Sequence, residues 1–260
     1  MQQYYELSRD SNPRTNAWYA NNNHFLTHFH STIELAFVEN GSICALQNGV
    51  SHQVPQGHLI VNSSYMVHGY SSPEPSRIIV CTIPLSTVPA LRGALRQHSF
   101  AQSIVDVRGM KECRQLMRMM ADPAAAANLR YVNSLGEALL ALLIDRVGLK
   151  ENAATDEGDL IKRILMYLQE HASEPLTVSQ AAAHFGYSDG RFSHIFNERI
   201  GCSFTRYLNS LRINMAQQLL ADKDMPLVDI ATACGFSSLR TFHRVYKDFT
   251  GKTPRTAQAR

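Results

Sequence analysis

Two short stretches near the carboxyl end of the chain carry side chains whose chemistry suits duplex DNA. Arginine and lysine can bind phosphate or the edge of guanine, asparagine can pair with adenine, and threonine can contact the methyl group of thymine. Helical spacing places these polar residues opposite an apolar face in both stretches. The predicted DNA-contacting residues are Arg191, Ser193, His194 and Asn197 in the first stretch and Arg240, Thr241, His243, Arg244 and Lys247 in the second.

The elements that must position these side chains recur as an approximate repeat, and each copy is predicted to be two helices joined by a tight turn. In the first copy Thr177 opens a capping-box pattern, and Gly186 can take the left-handed backbone conformation that ends a helix. Ser188 or Asp189 is the expected cap of the second helix, and Ser237 is the counterpart of Ser188 in the second copy. The matching residues are Val178, Ala182, Gly186, Tyr187 and Ser188 in one copy and Leu227, Ala231, Gly235, Phe236 and Ser237 in the other.

One long amphipathic helix is predicted between the two copies, from Phe204 to about Asp222. Roughly 17 residues at 1.5 Å each would span about 25 Å. With the offset of each packed helix added, the separation approaches the roughly 34 Å between successive major grooves on one face of the duplex. The pattern therefore predicts an all-α domain in which two helix-turn-helix units reach successive grooves.

Residues 160–258 resemble the AraC/XylS family of bacterial transcription regulators. The resemblance implies a DNA-binding regulator, more often an activator, that works with RNA polymerase. The chain departs from the family pattern in two places. In the first copy His194 replaces a common basic residue and Asn197 with Glu198 replaces a frequent lysine pair, and near the carboxyl end Ala257 and Gln258 replace a frequent Tyr-Arg pair. The first helix-turn-helix copy is therefore expected to bind phosphate weakly. The residues that carry the resemblance are Arg212, Ala216, Leu219, Leu220, Ile230, Ala231, Gly235, Phe236, Phe242, Arg244, Tyr246, Lys247, Gly251, Thr253 and Pro254.

The amino-terminal part of the chain is predicted to be an antiparallel barrel or sandwich followed by helices. Asn40-Gly41 and Asn48-Gly49 are typical of tight hairpins between short β-branched runs. Two helical patterns follow, and the second either packs on its own domain or forms a two-fold contact in a homodimer. The predicted strands are 33–38, 42–46, 59–61 and 77–83, and the predicted helices are 107–120 and 129–147.

Part of this region resembles the two motifs of the cupin barrel, which AraC-type regulators often carry as their sensor. The resemblance places His28, His30, Glu34 and His68 at the positions of the cupin metal ligands. Three imidazoles and a carboxylate suit Zn, Fe, Mn, Ni or Cu. In the alternative without a metal, the imidazoles hydrogen-bond a polyol or a carboxylate. A divalent metal is thus an open option, and no cofactor is required.

Trp18 and Tyr19 precede the barrel and could stack against the face of a sugar, or could instead cover the barrel end as core. With His28, His30, Glu34 and His68 they form the predicted effector site. We expect a transcription regulator that responds to a small molecule, sugars being one candidate class, and that is not an enzyme. The alternative is a metal-dependent cupin enzyme or metal sensor fused to a DNA-binding domain.

The overall prediction is a two-domain α+β chain. A cupin-like effector-sensing and dimerisation domain spans residues 1–149, with its barrel at about 20–85 and its helices at about 107–149. A linker covers 150–158, and the AraC-type DNA-binding domain covers 159–260.

Composition agrees with an intracellular partner for the second domain. Residues 160–260 carry 13 Lys and Arg against 8 Asp and Glu, whereas residues 1–159 carry 12 against 14. The cationic excess has the sign that a nucleic-acid partner requires. No apolar run approaches the length of a membrane span, and the chain does not start with a basic segment followed by an apolar one. We therefore expect a cytoplasmic protein with no membrane partner and with its five cysteines reduced.

Overall fold

The computed structural model describes residues 4–6, 14–22, 24–151, 156–220 and 225–258. The chain divides into two compact units, Met1–Ala153 and Ala154–Arg260. The first unit is β-rich with helices packed on it, and the second is helical. Within the described ranges, no helix is both long enough and apolar enough to cross a membrane.

The strands of the first unit form two five-stranded sheets and a two-stranded ribbon. One sheet has the order β1-β3-β8-β5-β6 and the other β11-β7-β4-β9-β2, while β10 pairs with β12. The pairs are antiparallel except for β1 with β3. The strands are β1 Tyr4–Tyr5, β2 Asn16–Asn21, β3 His24–Phe29, β4 Ile33–Asn40, β5 Ser42–Gln47, β6 Val50–Pro55, β7 His58–Asn62, β8 His68–Ser71, β9 Arg77–Ile83, β10 His98–Phe100, β11 Ile104–Asp106 and β12 Leu149–Glu151.

The two sheets are separate, so the predicted closed barrel is not observed. Among the described strands, no hydrogen-bonded ladder joins one sheet to the other. Side chains of β4 alternate between the two faces of its sheet. Ala36 and Val38 pack in an apolar cluster with Ile43 and Tyr70 of the other sheet. Leu35, on the opposite face, packs in the cluster that includes the helices. This pattern is the same in a barrel and in two facing sheets, and therefore did not distinguish them.

Helices cover the outer face of the second sheet. They are α1 Arg92–Gln97, α2 Lys111–Met120, α3 Pro123–Ala126 and α4 Leu129–Val147, after a 3-10 turn at Leu85–Thr87. Met117 of α2 and Leu139 and Leu143 of α4 are fully buried against Leu35 and its neighbours. The predicted helix 129–147 is confirmed, and its leucine face packs on its own unit. The predicted helix 107–120 begins later, at Lys111.

The linker expected over residues 150–158 is shorter than the sequence indicated. Lys150 and Glu151 belong to β12, which pairs with β10. Helix α5, Asp156–Glu170, begins inside the predicted linker. Residues 152–155 lie outside the described residues.

The helices of the second unit follow the repeat in the sequence. Thr177 and Gln180 form the predicted capping box, and Ser188 caps the following helix by accepting from the amide of Arg191. In the second copy the cap is Ser238, one residue after the predicted Ser237, and it accepts from the Thr241 amide at 3.2 Å. After α5 the helices are α6 Val178–His184, α7 Asp189–Ile200, α8 Phe204–Leu219, α9 Leu227–Ala233, α10 Leu239–Thr250 and α11 Pro254–Gln258.

Gly186 and Gly235 occupy equivalent turns of the two copies and both have left-handed backbones, with φ of 74° and 79°. Their surroundings differ. A Cβ built on Gly186 has no neighbour within 4 Å, whereas one on Gly235 would lie 2.8 Å from the carbonyl oxygens of Ala172 and Ser173. Of these two turns, only the one at Gly235 lies in close contact with the backbone that follows α5.

Replacing each glycine with alanine separates the cost of a left-handed backbone from the cost of the close approach at Gly235. Gly186→Ala should lower the free energy of unfolding by about 1 kcal/mol, the cost of a left-handed alanine. Gly235→Ala should lower it by roughly 1 to 3 kcal/mol more, because the backbone must also move. Urea unfolding of both variants measures the difference, and equal losses would show that the close approach at Gly235 is not rigid.

Candidate metal centre and nucleic-acid interface

Four predicted residues of the first unit meet between its two sheets. His28 of β3 is directly opposite His68 of β8, His30 lies in the turn after β3, and Glu34 is on the inward face of β4. All four are buried, and one candidate ligand atom from each lies within 4.8 Å of the others. The structure therefore brings together, from both sheets, the set that the sequence singled out.

Backbone and hydroxyl groups fix the orientation of each imidazole. Nδ1 of His28 lies 2.7 Å from the carbonyl oxygen of Leu26, and Nδ1 of His68 lies 2.8 Å from that of Met66. Nδ1 of His30 is 3.1 Å from the carbonyl oxygen of Thr32 and 2.8 Å from its hydroxyl. Because a carbonyl only accepts, Nδ1 of each ring carries a proton, and Nε2 is the nitrogen that can gain or release one.

The charge at the centre belongs to Glu34. Its Oε2 lies 3.4 Å from Nε2 of His30, and its Oε1 lies 3.3 Å from Nε2 of His68. Burial opposes ionisation, but His68 and the hydrogen bond from His30 outweigh it and hold the pKa of Glu34 well below its ordinary value. Burial, reinforced by the neighbouring His68, lowers the pKa of His28 to about 4. At neutral pH the centre thus combines a carboxylate with at least one neutral imidazole.

This donor set fits a divalent metal ion. Neutral imidazole nitrogens and an ionised carboxylate are the forms that bind metals, and hydrogen bonds from the second ring nitrogen are typical of histidine ligands. An ion about 2.1 Å from each donor allows the donors to be at most about 4.2 Å apart. The donor atoms lie within 4.8 Å of one another, so their separations would have to decrease by no more than roughly 0.6 Å. Side-chain rotation can supply this change. Nε2 of His68 is also buried without a hydrogen-bond partner among the described residues.

Three further polar residues extend the centre, and the sequence analysis did not identify them. The Tyr70 hydroxyl donates to Oε1 of Glu34 at 2.8 Å, and Nδ2 of Asn62 donates to that hydroxyl at 2.5 Å. Nε2 of Gln47 donates to Oδ1 of Asn62 at 2.6 Å. These contacts form a buried chain of hydrogen bonds, which we call the Gln47–Glu34 relay. One sequence signal was present: Tyr70 follows His68 by two residues on β8 and so shares its face.

Trp18 and Tyr19 are not brought together. They are successive residues of β2, so their side chains point to opposite faces of the sheet. Trp18 packs against the apolar cluster between the sheets, while Tyr19 is 37% exposed with the guanidinium of Arg77 lying 4.2 Å from its ring centre. Of the two, only Trp18 faces the space between the sheets.

Glu6, which was not predicted, lies near the four-residue cluster, with its Oε2 3.5 Å from Nε2 of His28.

In the second unit, α10 presents a cationic face. Phe242, Val245 and Tyr246 are buried, and helical spacing places the exposed Arg240 and Arg244, with Lys247, opposite them. Arg244 forms an exposed ion pair of 3.5 Å with Asp248, a contact of little energetic weight.

Two other predicted contacts on α10 lie at the margin of this face. Thr241 and His243 are half-buried. The edge of His243 contacts the ring of Phe242, and its Nε2 is buried without a hydrogen-bond partner among the described residues. His243 is therefore less accessible than the helical pattern indicated.

The corresponding helix α7 carries a weaker charge. Arg191, His194 and Asn197 are exposed, and Ser193 is half-buried. Nε2 of His194 lies 3.8 Å from a carboxylate oxygen of Glu198. The outer face of α7 thus mixes both signs of charge, whereas that of α10 is dominated by cations.

Comparison with known proteins assigns the second unit. Residues 181–260 match a family described as a helix-turn-helix domain. An HTH-type transcriptional regulator of Staphylococcus aureus, itself described as uncharacterised, is 35% identical over 104 residues, which is 40% of this chain and 14% of that protein. The HTH-type transcriptional regulator GbdR of Pseudomonas aeruginosa is 30% identical over 110 residues, 42% of this chain and 30% of that protein. This chain thus matches only a minor part of either relative.

These matches define the class of the second unit: it is a helix-turn-helix domain. The sequence of this domain also resembles the AraC/XylS family.

Solved structures give weaker similarity. ToxT from Vibrio cholerae aligns with 95% of this chain and 97% of its own, at 15% sequence identity and a TM-score of 0.41. The carboxy-terminal domain of AraT, a response regulator from Geobacillus stearothermophilus, aligns with 41% of this chain and 88% of its own, at 24% identity and a TM-score of 0.38.

Proposed function

We propose that this chain is a sequence-specific DNA-binding transcription regulator that responds to a small-molecule effector bound between the sheets of its first unit. The observation that carries the proposal is the exposed cationic face of α10 within an AraC-type domain. Arg240, Arg244 and Lys247 lie where a helix in the major groove would bring them to bases and phosphates. The two copies are joined by α8, whose 16 residues span about 24 Å.

The effector would bind at the buried cluster of His28, His30, Glu34 and His68. Buried polar groups are costly unless they are hydrogen-bonded, and all four residues of this cluster are buried. To act as a switch, the effector must bind one arrangement of the protein more tightly than another, and a difference of about 1 to 3 kcal/mol would suffice. Sugars and other polyols can hydrogen-bond such groups.

Activation is the proposed direction of regulation, with RNA polymerase as partner and a homodimer as the assembly, because the AraC/XylS resemblance favours each of these. The cytoplasm is the proposed location. The exposed Leu129 and Tyr131 at the start of α4 would be available to a two-fold contact, while the leucine face of that helix is occupied by its own core.

The same cluster supports a second candidate, a metal sensor or metal-dependent enzyme fused to the DNA-binding domain. The specific observation in its favour is that three imidazoles direct protonated Nδ1 atoms to local acceptors. Nε2 of His30 and of His68 each lie beside an oxygen of Glu34, and one nitrogen of His28 is within 4.8 Å of these atoms. A divalent ion held there would supply positive charge and Lewis acidity to an oxygen atom of the effector. Effector turnover by purified protein, abolished in His30→Ala, would favour the enzyme.

Removing either arginine of the α10 face tests the DNA-binding proposal. Arg240→Ala and Arg244→Ala should each weaken binding to a duplex selected from random sequences by about 10- to 100-fold, because a good base contact contributes about 1 to 3 kcal/mol. Effector binding should not change. Arg108→Ala, which removes an exposed arginine of the first unit, is the matched control in the gel-shift titration. Wild-type affinity in both α10 variants would contradict the assignment.

A footprint of His194→Ala tests the division of labour between the two copies. Because the outer face of α7 is mixed in charge, we propose that it contributes shape and phosphate contacts while α10 reads bases. The variant should therefore bind less tightly, by about threefold, with its base preferences unchanged in both halves of the site. A loss of discrimination confined to one half-site would show that α7 reads bases as well.

Titration with Co²⁺ tests the metal candidate, since this ion absorbs visible light when bound by nitrogen and oxygen ligands. The wild-type protein should bind one equivalent. Glu34→Gln and His68→Ala should each lose more than the 10- to 100-fold that outer-shell changes typically cost, and His24→Ala, an exposed histidine on the same strand as His28, should bind normally. Equal affinity in all four proteins would place the ion elsewhere.

A further inference from the structure

The donors and acceptors of the Gln47–Glu34 relay all run in one direction. The Tyr70 hydroxyl donates its single proton to Oε1 of Glu34. The lone pairs of that hydroxyl then accept from Nδ2 of Asn62. Oδ1 of Asn62 must in turn accept from Nε2 of Gln47. Every side chain of the relay therefore has one permitted orientation.

The relay is anchored at its far end. Nε2 of Gln47 also donates to the carbonyl oxygen of Val61 at 3.2 Å, and Gln47 and Asn62 are 5% and 0% exposed. Gln47 is on β5, directly opposite His68 in the sheet, and Asn62 is on β7, directly opposite Glu34 in the other sheet. The relay thus joins the backbone of both sheets to one oxygen of the carboxylate.

The relay also restricts the rotation of the Glu34 carboxyl group. Oε1 of Glu34 lies within reach of both the Tyr70 hydroxyl and Nε2 of His68. Without the hydroxyl, the carboxyl group could rotate away from the position that it holds beside Nε2 of His30 and of His68. A hydrogen bond from a fixed donor keeps it in a single orientation.

We propose that Tyr70 and Asn62 are positioning residues, which hold the carboxyl group of Glu34 in the orientation of a ligand for a divalent metal ion at the four-residue cluster. This inference rests on the second candidate above, a metal bound by His28, His30, Glu34 and His68. Tyr70 acts on the ion through Glu34, and Asn62 acts through Tyr70. The effect of Asn62 therefore depends on the presence of the Tyr70 hydroxyl.

The test is a double-mutant cycle on the full chain, with Co²⁺ affinity and the visible absorption spectrum of the bound ion as readouts. Tyr70→Phe should weaken Co²⁺ binding by about 10- to 100-fold and alter the spectrum, because the carboxylate loses its fixed partner. Asn62→Ala should weaken binding by about threefold to tenfold alone, but by less than about twofold when Tyr70 is already phenylalanine. A merely structural role would give additive losses and an unchanged spectrum.

Tyr131→Phe, an exposed tyrosine on α4, is the matched control for the loss of a hydroxyl and should bind Co²⁺ normally. If Tyr70→Phe does not fold, as judged by metal-free unfolding, the Asn62→Ala comparison with wild type still measures the role of the relay. Wild-type affinity and spectrum in the folded variants would overturn the inference while leaving the metal site standing. Absence of Co²⁺ binding by the wild-type protein would overturn both.

Discussion

A carboxylate buried between two apolar sheets is the constraint on which the first unit depends. Glu34 is 2% exposed, and an isolated charge in such a place would cost several kcal/mol. Its partners come from the turn after β3 and from β8, and the relay reaches β5 and β7. A one-residue slip of β4 would turn the carboxylate toward the helices, where none of these partners lies. The interaction that defines the site therefore also fixes the register of the strands around it.

The second unit is organised by short-range signals instead. Each copy of its repeat has two helices joined at a left-handed glycine, and a serine caps the second helix of each. A capping box opens the first helix of the first copy, whereas Pro226 precedes the corresponding helix of the second copy without a side-chain cap. Buried aromatic residues fill each core. Copies with the same scaffold can diverge on their outer faces, because those residues are not needed for packing. The contrast between the cationic α10 and the mixed α7 is such a divergence, and it gives one scaffold two chemically different outer faces.

The parts of the structure that sequence could predict are those set by neighbours along the chain. The Thr177 capping box, the turns at Gly41 and Gly49 and the helix 129–147 depend on residues a few positions apart, and the structure contains them. Adjacent serines left the second cap ambiguous by one residue. Sheet closure depends on pairing between distant strands, which alternation does not encode.

The site shows the same division between local and long-range information. His28, His30, Glu34 and His68 could be named because a family motif records their spacing, and the structure places them together. The relay could not be named, because Gln47, Asn62 and Tyr70 belong to three strands whose facing partners are set by register. Trp18 and Tyr19 show the opposite error: adjacency in the sequence indicated a shared pocket, but adjacent strand residues face apart.

The close approach at Gly235 has a consequence for how this domain can evolve. The Ala172 carbonyl that lies beside Gly235 also accepts a hydrogen bond from Nε of Arg212 at 2.8 Å, and Nη2 of the same arginine donates to the carbonyl of Glu174 at 2.7 Å. A segment of only three residues therefore touches both the long helix and the turn of the second copy. Insertions or deletions between α5 and α6 would displace all three contacts at once. This loop should keep its length across descendants of the chain even where its exposed side chains vary.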